Sequence, residues 1–584
     1  MENSKENPQP KNPTSMAEFF NTTTKKKKPS YIISNETDNK TPTFSQKAIY
    51  YENNKAFNGE LVLLDYVIYF FPKEPDLKRL RYNKKYFVIP LFSIKKLDAT
   101  DYYKQVTIKT KDRRTLIFRT SNFNFYDTIK ANAFPPFISG YHEFAIAYAK
   151  QTKELYQING WNLFDLSIEC LRMGISDKYK ITDENLNYNL CETYPKYLII
   201  PSGFSEHLLR NVAEFRALNR FPVLSYYYKY NGSCLWRSSQ CLAGLTLKSS
   251  DMDKKYMNEI SSITKKLVIY DARPYVNAIA NSLKGAGIER KSDYDYCEEV
   301  IYCDIDNIHG VRDALKKSIN VIDTINENDI NKFYSKFEQT KWLDLVSSLL
   351  KTSVDIVNSI LDGKTVLVHC SDGWDRTTQL CSLAQLLLDS YYRTLEGFCV
   401  LIEKEWVSFG HQFAIRCGND SRKEKRKMMS PIFIQFLDVV YQIMNQCPTA
   451  FEFRTNLLTY LSDEIYSGKY GTFLFNNEKH INECNAKKTM ISIWSEIILQ
   501  RKNYYNPLYD EDKNHLNVSY DMPKMKLWSE FFFKYDKEGK ENLILKSCLK
   551  NYNVMSEMIK VLKDNQLYGK LTKDAQEYIK KNFT

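Results

Sequence analysis

A run of apolar residues that ends in a cysteine, followed by a short polar loop and a long apolar segment, constrains the fold of this chain more than any other feature. Residues 365–392 read TVLVHCSDGWDRTTQLCSLAQLLLDSYY. The aliphatic residues before Cys370 predict a buried strand, Gly373 permits a tight turn, and the apolar spacing after Arg376 predicts a helix. The loop is therefore expected between the end of a strand and the N-terminus of a helix.

Cys370 and Arg376, at the two ends of this loop, predict a site for a phosphoryl group. The backbone N–H groups of such a loop, together with the helix dipole, can bind a tetrahedral dianion. The same field lowers the pKa of a thiol, so Cys370 is predicted to be a thiolate nucleophile. Arg376 can hold two phosphoryl oxygens at once, and Thr377 can hydrogen-bond the departing thiolate. We expect phosphoryl transfer to Cys370, followed by hydrolysis of the thiophosphate.

Two aspartates of the loop are candidates for the proton transfer that the leaving oxygen requires. Asp375, next to Arg376, is expected near the leaving group, whereas Asp372 is placed to contact substrate hydroxyl groups or a water. Each could instead accept backbone N–H groups of the loop, and the sequence leaves the division of roles between them open. We interpret His369 as a buried hydrogen-bonding partner of the loop rather than a proton carrier.

The N-terminal part of the chain has a β-rich pattern. Short runs of β-branched and aromatic residues predict strands at 59–71, 85–99, 105–110 and 115–120, and helical spacing follows at 124–134 and 138–151. Consecutive strands closed by helices predict a small antiparallel barrel or sandwich within residues 46–155. Residues 1–45, rich in Asn, Lys, Thr, Ser and Pro, are predicted to be a disordered tail.

The remainder of the chain alternates apolar runs with helical stretches, which predicts an α/β fold with a buried sheet. The apolar runs fall at residues 197–203, 221–228, 266–274, 300–305 and 365–370, and a helix is predicted over residues 205–221. After residue 538 the spacing of apolar residues is again helix-like.

Charge and cysteine content limit the classes of function. Lys and Arg total 82 against 70 acidic residues, a formal charge of +12. This excess favours anionic partners such as phosphoinositide head groups, an acidic membrane surface or nucleic acid. The 13 cysteines form no C-x-x-C pair, which indicates reduced thiols in a cytosolic compartment. The sequence has neither a signal peptide nor an apolar run of about 18 residues, so membrane contact is expected to be peripheral.

The loop and its surroundings resemble a known family. VHCSDGWDRT, residues 368–377, resembles the signature of the myotubularins, cysteine-dependent phosphatases of the protein tyrosine phosphatase superfamily that act on phosphoinositides. Other similar segments are NGW (159–161), RMGIS (172–176), RNVAEFRALNRFPVLSY (210–226), DARPYVNAIAN (271–281), EKEWVSFGHQF (403–413) and GTFLFN (471–476). The resemblance spans residues 46 to about 537.

The resemblance implies a fold and an activity. The fold is an α/β cysteine-phosphatase domain, a central mixed sheet flanked by helices, over residues 156–537. A β-rich PH-GRAM domain precedes it over 46–155, and a helical segment follows over 538–584. The activity is removal of the 3-phosphate from phosphatidylinositol 3-phosphate and phosphatidylinositol 3,5-bisphosphate, with no cofactor and no metal. A protein tyrosine phosphatase and a non-catalytic phosphoinositide-binding adaptor stay open as alternatives.

The resemblance also implies site residues and partners. The head-group site would comprise Ser371, Asp372, Gly373, Trp374, Asp375 and Arg376 of the loop, with Asn281, Asn307, Ile308 and Arg416. Gln412 stands where members often carry Arg or Lys, so the contact to a 5-phosphate is in question. The expected partners are the two lipids, an anionic membrane surface and related chains in a homo- or hetero-oligomer, without nucleic acid. The expected location is cytoplasmic, peripheral to endosomal or other phosphoinositide-bearing membranes.

Overall fold

A computed structural model of the chain describes residues 44–535 with short gaps. The gaps are residues 53–54, 65, 74–86, 122–123, 153–155, 245–247, 284, 326, 421 and 512–513, and beyond residue 535 the described positions are 544, 556, 559 and 560. The tail predicted over 1–45 and the helical segment predicted over 538–584 therefore lie almost entirely outside the described residues.

The N-terminal part forms a seven-stranded antiparallel sheet. Its strands are β1 Phe44–Glu52, β2 Lys55–Leu64, β3 Val67–Pro72, β4 Phe87–Pro90, β5 Ile94–Thr100, β6 Gln105–Thr110 and β7 Thr115–Thr120, in the order β4-β3-β2-β1-β7-β6-β5. Tyr50 is buried in its core, with the rings of Phe87 and Phe118 5.1 and 5.3 Å away. Helices α1 Asn124–Ala133 and α2 Glu143–Thr152 follow, so the chain has the predicted order of strands and then helices.

Two of the predicted strands are interrupted. The run 59–71 breaks at Tyr66, whose φ of 68° belongs to a turn, so it spans parts of β2 and β3. The run 85–99 breaks after Pro90, which has no backbone N–H for the sheet and is followed by a 3₁₀ turn at Leu91–Ser93. β1 has no counterpart among the predicted strands and begins at Phe44, inside the predicted tail.

The segment between the two sheets departs from the predicted pattern. β8 Tyr179–Thr182 and β9 Leu198–Pro201 pair with each other, so the run 197–203 does not belong to the main sheet. The helix predicted over 205–221 is reduced, apart from 3₁₀ turns, to α4 Leu209–Ala213, which follows α3 Leu166–Met173. Leu218 has a φ of 55°, a conformation that a continuing helix does not allow.

A second, mixed sheet of five strands organises the larger part of the chain. Its strands are β10 Val223–Tyr228, β11 Ser233–Ser239, β12 Leu267–Asp271, β13 Cys297–Tyr302 and β14 Thr365–Cys370, in the order β10-β11-β14-β12-β13. β14 lies in the middle, parallel to β11 and β12, and the β10–β11 pair is antiparallel. The parallel strands therefore end at one edge of the sheet, where α/β folds place their ligands.

Helices make up much of the rest of the described chain. They are α5 Asp251–Ile260, α6 Tyr275–Ser282, α7 Ile308–Thr324, α8 Phe333–Glu338, α9 Trp342–Leu361, α10 Arg376–Leu388, α11 Leu395–Ile402, α12 Phe413–Arg416, α13 Lys423–Arg426, α14 Ile432–Gln446, α15 Asn456–Glu464, α16 Glu478–Glu483, α17 Ala486–Thr489, α18 Ile493–Leu499, α19 Arg501–Tyr504 and α20 Ser529–Phe532, with a π-helical turn at Glu403–Ser408. α10 is buried along its whole length and packs on β14, α9 and α14. Within the described part of the chain, we find no helix with both the length and the apolar character to span a bilayer.

Candidate functional site

The loop that begins at Cys370 lies at the carboxyl edge of the central sheet. Cys370 is the last residue of β14 and Arg376 the first of α10, so the predicted strand, loop and helix are present in this order. Gly373 has a φ of 76°, and its N–H donates to Cys370 Sγ at 3.3 Å. A Cβ at this position would approach the carbonyl oxygen of Ser238 to 2.5 Å. Both the φ angle and the available space therefore select glycine.

The surroundings of Cys370 favour a thiolate. Burial by itself raises the pKa of the thiol, but the Arg376 guanidinium and the hydroxyl and N–H groups of Thr377 outweigh burial and lower this pKa. The Thr377 hydroxyl is buried and has no hydrogen-bond partner of normal geometry among the described residues, which leaves it available to the sulfur. The arrangement is suited to a nucleophilic sulfur at neutral pH.

The Arg376 side chain is buried and is held from outside the loop. Its Nη1 donates to the carbonyl of Ile305 at 3.0 Å, and its Nη2 lies 3.5 Å from Ser371 Oγ. Ile305 follows β13, so the segment that connects β13 to α7 fixes one edge of the guanidinium. The remaining N–H donors of Arg376 can face an anion in the loop.

Two further arginines, Arg220 and Arg237, fix the loop from the protein interior. The Nη2 of each donates to the carbonyl of Gly373 at 2.9 Å. Arg237 also pairs with Glu405 at 2.6 Å, and Arg220 also donates to the carbonyl of Phe409 at 2.8 Å. Both guanidinium groups are fully buried. Because they hold this carbonyl away from the centre of the loop, neighbouring N–H groups can point inward toward an anion.

The two aspartates of the loop have opposite electrostatic environments. Asp375 accepts hydrogen bonds from Arg416 Nε at 3.1 Å and Nη2 at 2.7 Å, and its Oδ1 lies 3.1 Å from His411 Nδ1. Burial raises the pKa of Asp375, but Arg416 and His411 outweigh it and hold this pKa well below the usual range. For Asp372, burial and the charge of Asp375 raise the pKa above its usual value, against the attraction of nearby arginines. The site therefore stabilises the charged form of Asp375 and disfavours the charged form of Asp372.

His369 lies beneath the loop in a buried charge network. Its Nε2 is 3.1 Å from Glu289 Oε2, and its Nδ1 is 3.3 Å from the carbonyl of Cys370. Burial lowers the pKa of His369, but Glu289 and Asp271 outweigh burial and raise it. Glu289 also accepts a hydrogen bond from Arg216 at 2.6 Å. His369 contacts the loop from the interior, which agrees with its interpretation as a partner of the loop.

The same network contains the potential metal ligands. Among the described residues, Asp271, Glu289 and His369 are the one group whose candidate ligand atoms all lie within 4.8 Å of one another. Arg273 donates to both carboxylate oxygens of Asp271, and Arg216 pairs with Glu289. These two guanidinium groups already neutralise the carboxylates, so the geometry fits an ion-pair network better than a divalent cation.

Arg416 and Gln412 lie one helical turn apart at α12. The N–H of Arg416 donates to the carbonyl of Gln412 at 2.8 Å, and the Gln412 side chain is half-buried. His411, which precedes them, places Nδ1 2.9 Å from the carbonyl of Trp374. The Trp374 ring is 8% exposed, and its Nε1 has no hydrogen-bond partner among the residues that the structure describes. This helix therefore brings one cation, Arg416, to the loop.

The other predicted head-group residues lie at two places. Asn307 and Ile308 begin α7 directly after Ile305, whose carbonyl holds the loop arginine, and the Asn307 side chain accepts a backbone N–H as the helix cap. Ser430 donates to the carbonyl of Ile308 at 2.7 Å. Asn281, near the end of α6, makes no side-chain hydrogen bond to the loop within the described ranges. The structure thus brings Asn307 and Ile308 to the arginine of the loop, and places Asn281 on a neighbouring helix.

Four residues that support the loop are missing from the sequence-based site. Arg220 and His411 lie in segments that resemble the family, 210–226 and 403–413, and that resemblance is the signal that could have identified them. Arg237 and Glu289 carry no such signal, because only tertiary contacts bring them to Gly373 and His369.

Comparison with known proteins gives the family. A family model described as the Myotubularin-like phosphatase domain matches residues 143–482. Myotubularin of Xenopus laevis is 39% identical over 440 residues, which cover 74% of this chain and 72% of that protein. The protein of Mus musculus named Phosphatidylinositol-3,5-bisphosphate 3-phosphatase MTMR2 is 40% identical over 428 residues, 71% of this chain and 64% of that protein. With the strand, loop and helix around Cys370 in place, this chain belongs to the myotubularin family of phosphatases.

Proposed function

We propose that this chain is a phosphoinositide 3-phosphatase. It hydrolyses the 3-phosphate of phosphatidylinositol 3-phosphate, and of phosphatidylinositol 3,5-bisphosphate, through a cysteinyl-phosphate intermediate. The observation that carries the proposal is one anion-binding loop that combines a thiol of lowered pKa, Cys370, with two carboxylates in opposite protonation environments. The name of the mouse relative, which describes a 3-phosphatase of phosphatidylinositol 3,5-bisphosphate, supports the substrate class.

The reaction begins with attack of the Cys370 thiolate on phosphorus. The P–S bond forms as the P–O bond to the inositol breaks, and the loop N–H groups and Arg376 bind the non-bridging oxygens. The inositol oxygen leaves with a proton from a loop carboxyl. Water then attacks phosphorus and the P–S bond breaks. The N–H of Gly373 and the Thr377 hydroxyl, which already face the sulfur, stabilise the departing thiolate.

The raised pKa of Asp372 and the lowered pKa of Asp375 favour Asp372 as the proton donor. Asp375 holds Arg416 in place for the head group. In Asp372→Asn, we expect the alkaline limb of the kcat/KM profile, which reports the free enzyme, to be lost. Asp375→Asn should keep this alkaline limb but raise KM, because Arg416 loses its partner. The opposite pattern, with the alkaline limb lost only in Asp375→Asn, would assign the donation to Asp375 after Arg416 moves to the substrate.

The remaining head-group contacts come from three places around the loop. The side-chain oxygen of Asn307 caps α7, which leaves its NH₂ group for an inositol hydroxyl, and the N–H of Ile308 is one of the unpaired donors of that helix end. Arg416 provides charge for a second phosphate, while Gln412 provides none. Asn281 contributes an amide from α6. Binding of the monophosphate is therefore expected to be favoured over the bisphosphate.

The assignment of the flanking segments is part of the proposal. The N-terminal sheet with α1 and α2, within residues 46–155, corresponds to a PH-GRAM domain, and residues 156–537 to the phosphatase domain. The tail predicted over residues 1–45 and the helical segment predicted over 538–584 lie almost entirely outside the described residues, and β1 already begins at Phe44. The protein works at phosphoinositide-bearing membranes such as endosomes, as a peripheral protein and in an oligomer with related chains.

The proposal is tested by turnover of three substrates. Phosphate release is measured from soluble short-chain phosphatidylinositol 3-phosphate, from its 3,5-bisphosphate and from a phosphotyrosine peptide. We expect turnover of the two lipids, with little on the peptide, and loss of lipid turnover in Cys370→Ser. Cys381→Ser, at another buried thiol, is the matched control and should retain activity. Preferential turnover of the peptide would favour a protein tyrosine phosphatase, and binding without turnover would favour an adaptor.

A further inference from the structure

An exposed apolar face lies on α6. Tyr275, Val276, Ile279 and Leu283 are 54%, 75%, 39% and 69% exposed. Their positions along the sequence place them on one side of the helix, including its C-terminal cap. The other side is anchored in the protein through buried Ala278 and Ser282. A contiguous row of large apolar side chains with this exposure marks an interaction surface.

α6 begins at the sheet edge that carries the catalytic loop. β12 is in register with β14, so that Asp271 lies beside His369, and the N–H of Ala272 donates to the carbonyl of His369 at 2.8 Å. α6 starts a few residues after Ala272. The ring of Tyr275 also lies 4.9 Å from that of Tyr302, the last residue of β13. The apolar face therefore adjoins the same edge as Cys370.

A basic segment borders the loop at a second place. Residues 422–427 read RKEKRK, five basic residues and one acidic residue. Arg426 and Lys427 are exposed. Arg416, the cation beside the loop, donates to the carbonyl of Met428, directly after this segment, at 3.0 Å. Arg312 of α7 donates to the carbonyl of Lys427 at 2.6 Å. The segment therefore joins the site on one side and α7 on the other.

Further cations extend this positive region. Lys316 and Lys317 of α7 are exposed. Lys95 lies near them: burial, together with the like charges of Lys316 and Arg312, lowers the pKa of Lys95. Asp313 and Glu424 are acidic residues of the same region, and Asp420 pairs with Arg422. Basic residues stay in excess, so the region attracts anionic surfaces.

We propose that the apolar face of α6 and the basic segment at residues 422–427 together dock the catalytic edge of the protein on a lipid bilayer with acidic head groups. Val276 and Leu283 enter the boundary between head groups and acyl chains, while Arg426 and Lys427 contact lipid phosphates. An apolar row together with a basic segment fits a bilayer better than a protein partner, because a bilayer offers both environments at once.

This docking surface deepens the proposed function and rests on it, because a lipid phosphatase must reach its substrate within the membrane. The apolar face of α6 and residues 422–427 lie outside the N-terminal sheet, although Lys95 of β5 belongs to the surrounding positive region. α6 begins near the sheet edge that carries the loop, and Arg416 donates to the carbonyl of Met428 just after the basic segment, so docking presents the loop to the head groups.

The test measures binding of the full chain to vesicles without phosphoinositide. The vesicles contain phosphatidylcholine with about one third phosphatidylserine, which gives an acidic surface but no ligand for the catalytic loop. We expect Val276→Asp and Leu283→Asp to weaken binding about tenfold or more, because a charge replaces an inserted apolar group. The double variant Arg426→Glu, Lys427→Glu should weaken binding about 25-fold, from roughly fivefold for each lost charge, and this effect should shrink as salt is raised.

Matched controls separate this surface from general effects of charge. Leu171→Asp replaces a residue that is 82% exposed on α3, and Lys502→Glu with Lys524→Glu reverses two exposed cations elsewhere. These variants should bind vesicles as the unaltered chain does. Turnover of soluble, short-chain phosphatidylinositol 3-phosphate should be unchanged in all variants, whereas turnover of the same lipid in vesicles should fall only in the docking-surface variants.

Three results would overturn the proposal. The first is unchanged vesicle binding of Val276→Asp and Leu283→Asp. The second is a loss of turnover on soluble substrate as large as the loss on vesicle-bound substrate. The third is loss of self-association rather than of vesicle binding in these variants, which would assign the face to a second copy. A failure of the proposed function gives a different result. The unaltered chain would then bind vesicles through this surface but hydrolyse neither soluble nor vesicle-bound lipid.

Discussion

Replacing Gly373 by alanine tests whether the backbone geometry of the loop sets the rate. Gly373 has a φ of 76°, and an L-residue in this region costs about 1–2 kcal/mol. The new Cβ would also lie 2.5 Å from the carbonyl oxygen of Ser238, where ordinary contacts begin at 3.4 Å. Ser238 belongs to β11 and is in register with His369 of β14, so the strand cannot easily retreat. The loop must therefore move, by roughly 1 Å.

A displacement of this size should be visible in the kinetics. A misplacement of about 1 Å at a reacting group costs roughly 100-fold in rate. We expect kcat/KM for soluble phosphatidylinositol 3-phosphate to fall about 100-fold in Gly373→Ala, while Cys370 and Arg376 are still present. The free energy of unfolding should fall by about 1–3 kcal/mol from backbone strain and contact. Initial rates of phosphate release and thermal unfolding measure the two effects.

Gly363 provides the matched control. It has a φ of 78° in the turn before β14, and a Cβ there would meet no atom within 4 Å. Gly363→Ala should therefore lose about 1–2 kcal/mol of stability through its backbone and keep its activity. If Gly373→Ala retains full kcat/KM, or if Gly363→Ala loses as much activity, displacement of the loop is not what limits the rate.

Three further predictions concern single contacts. Thr377→Val removes the hydroxyl that helps to lower the pKa of the Cys370 thiol and should raise this pKa, measured as the pH dependence of alkylation, whereas Thr377→Ser should not. Because the pKa of His369 is raised in the folded chain, its pairing with Glu289 stabilises the fold fully below pH ~6.5 and less as pH rises through the higher folded value. Glu289→Gln should weaken this pH dependence of thermal unfolding, of which Asp271 keeps a part, and should cost about 3–5 kcal/mol. The exposed Glu298→Gln is the control, and an unchanged pH profile would contradict the pairing. Gln412→Arg adds a cation one turn from Arg416 and should raise turnover of the 3,5-bisphosphate relative to the monophosphate about fivefold; an unchanged ratio would show that this position does not contact the 5-phosphate.

The strand, loop and helix around Cys370 could be predicted because each depends on local residues. Aliphatic residues over Thr365–Cys370 form β14 with the predicted bounds, and α10 begins at Arg376 as expected. β6 and β7 also match their predicted ranges. In these elements the residue pattern and the tertiary environment favour the same conformation.

Other elements could not be predicted, because distant contacts stabilise them. β11, SCLWRSS, is polar in sequence yet fully buried beside β14. Its Arg237 is neutralised by Glu405, far along the chain, and such a pair makes burial of a charge possible. The short α4 has a similar cause, since Arg216 and Arg220 in the predicted helix turn inward to buried partners.

The chemistry of the site divides in the same way. Local sequence specifies the nucleophile, the anion-binding loop and Arg376, because one strand end, one glycine and one helix start place them within a few residues. Which aspartate is better suited to donate a proton is decided by the fold, because Arg416 of α12 and His411 just before this helix reach Asp375, while Asp372 faces burial and the charge of Asp375. A pKa depends on charges within a few ångströms, and for these two carboxyls only the folded chain brings the deciding charges that close.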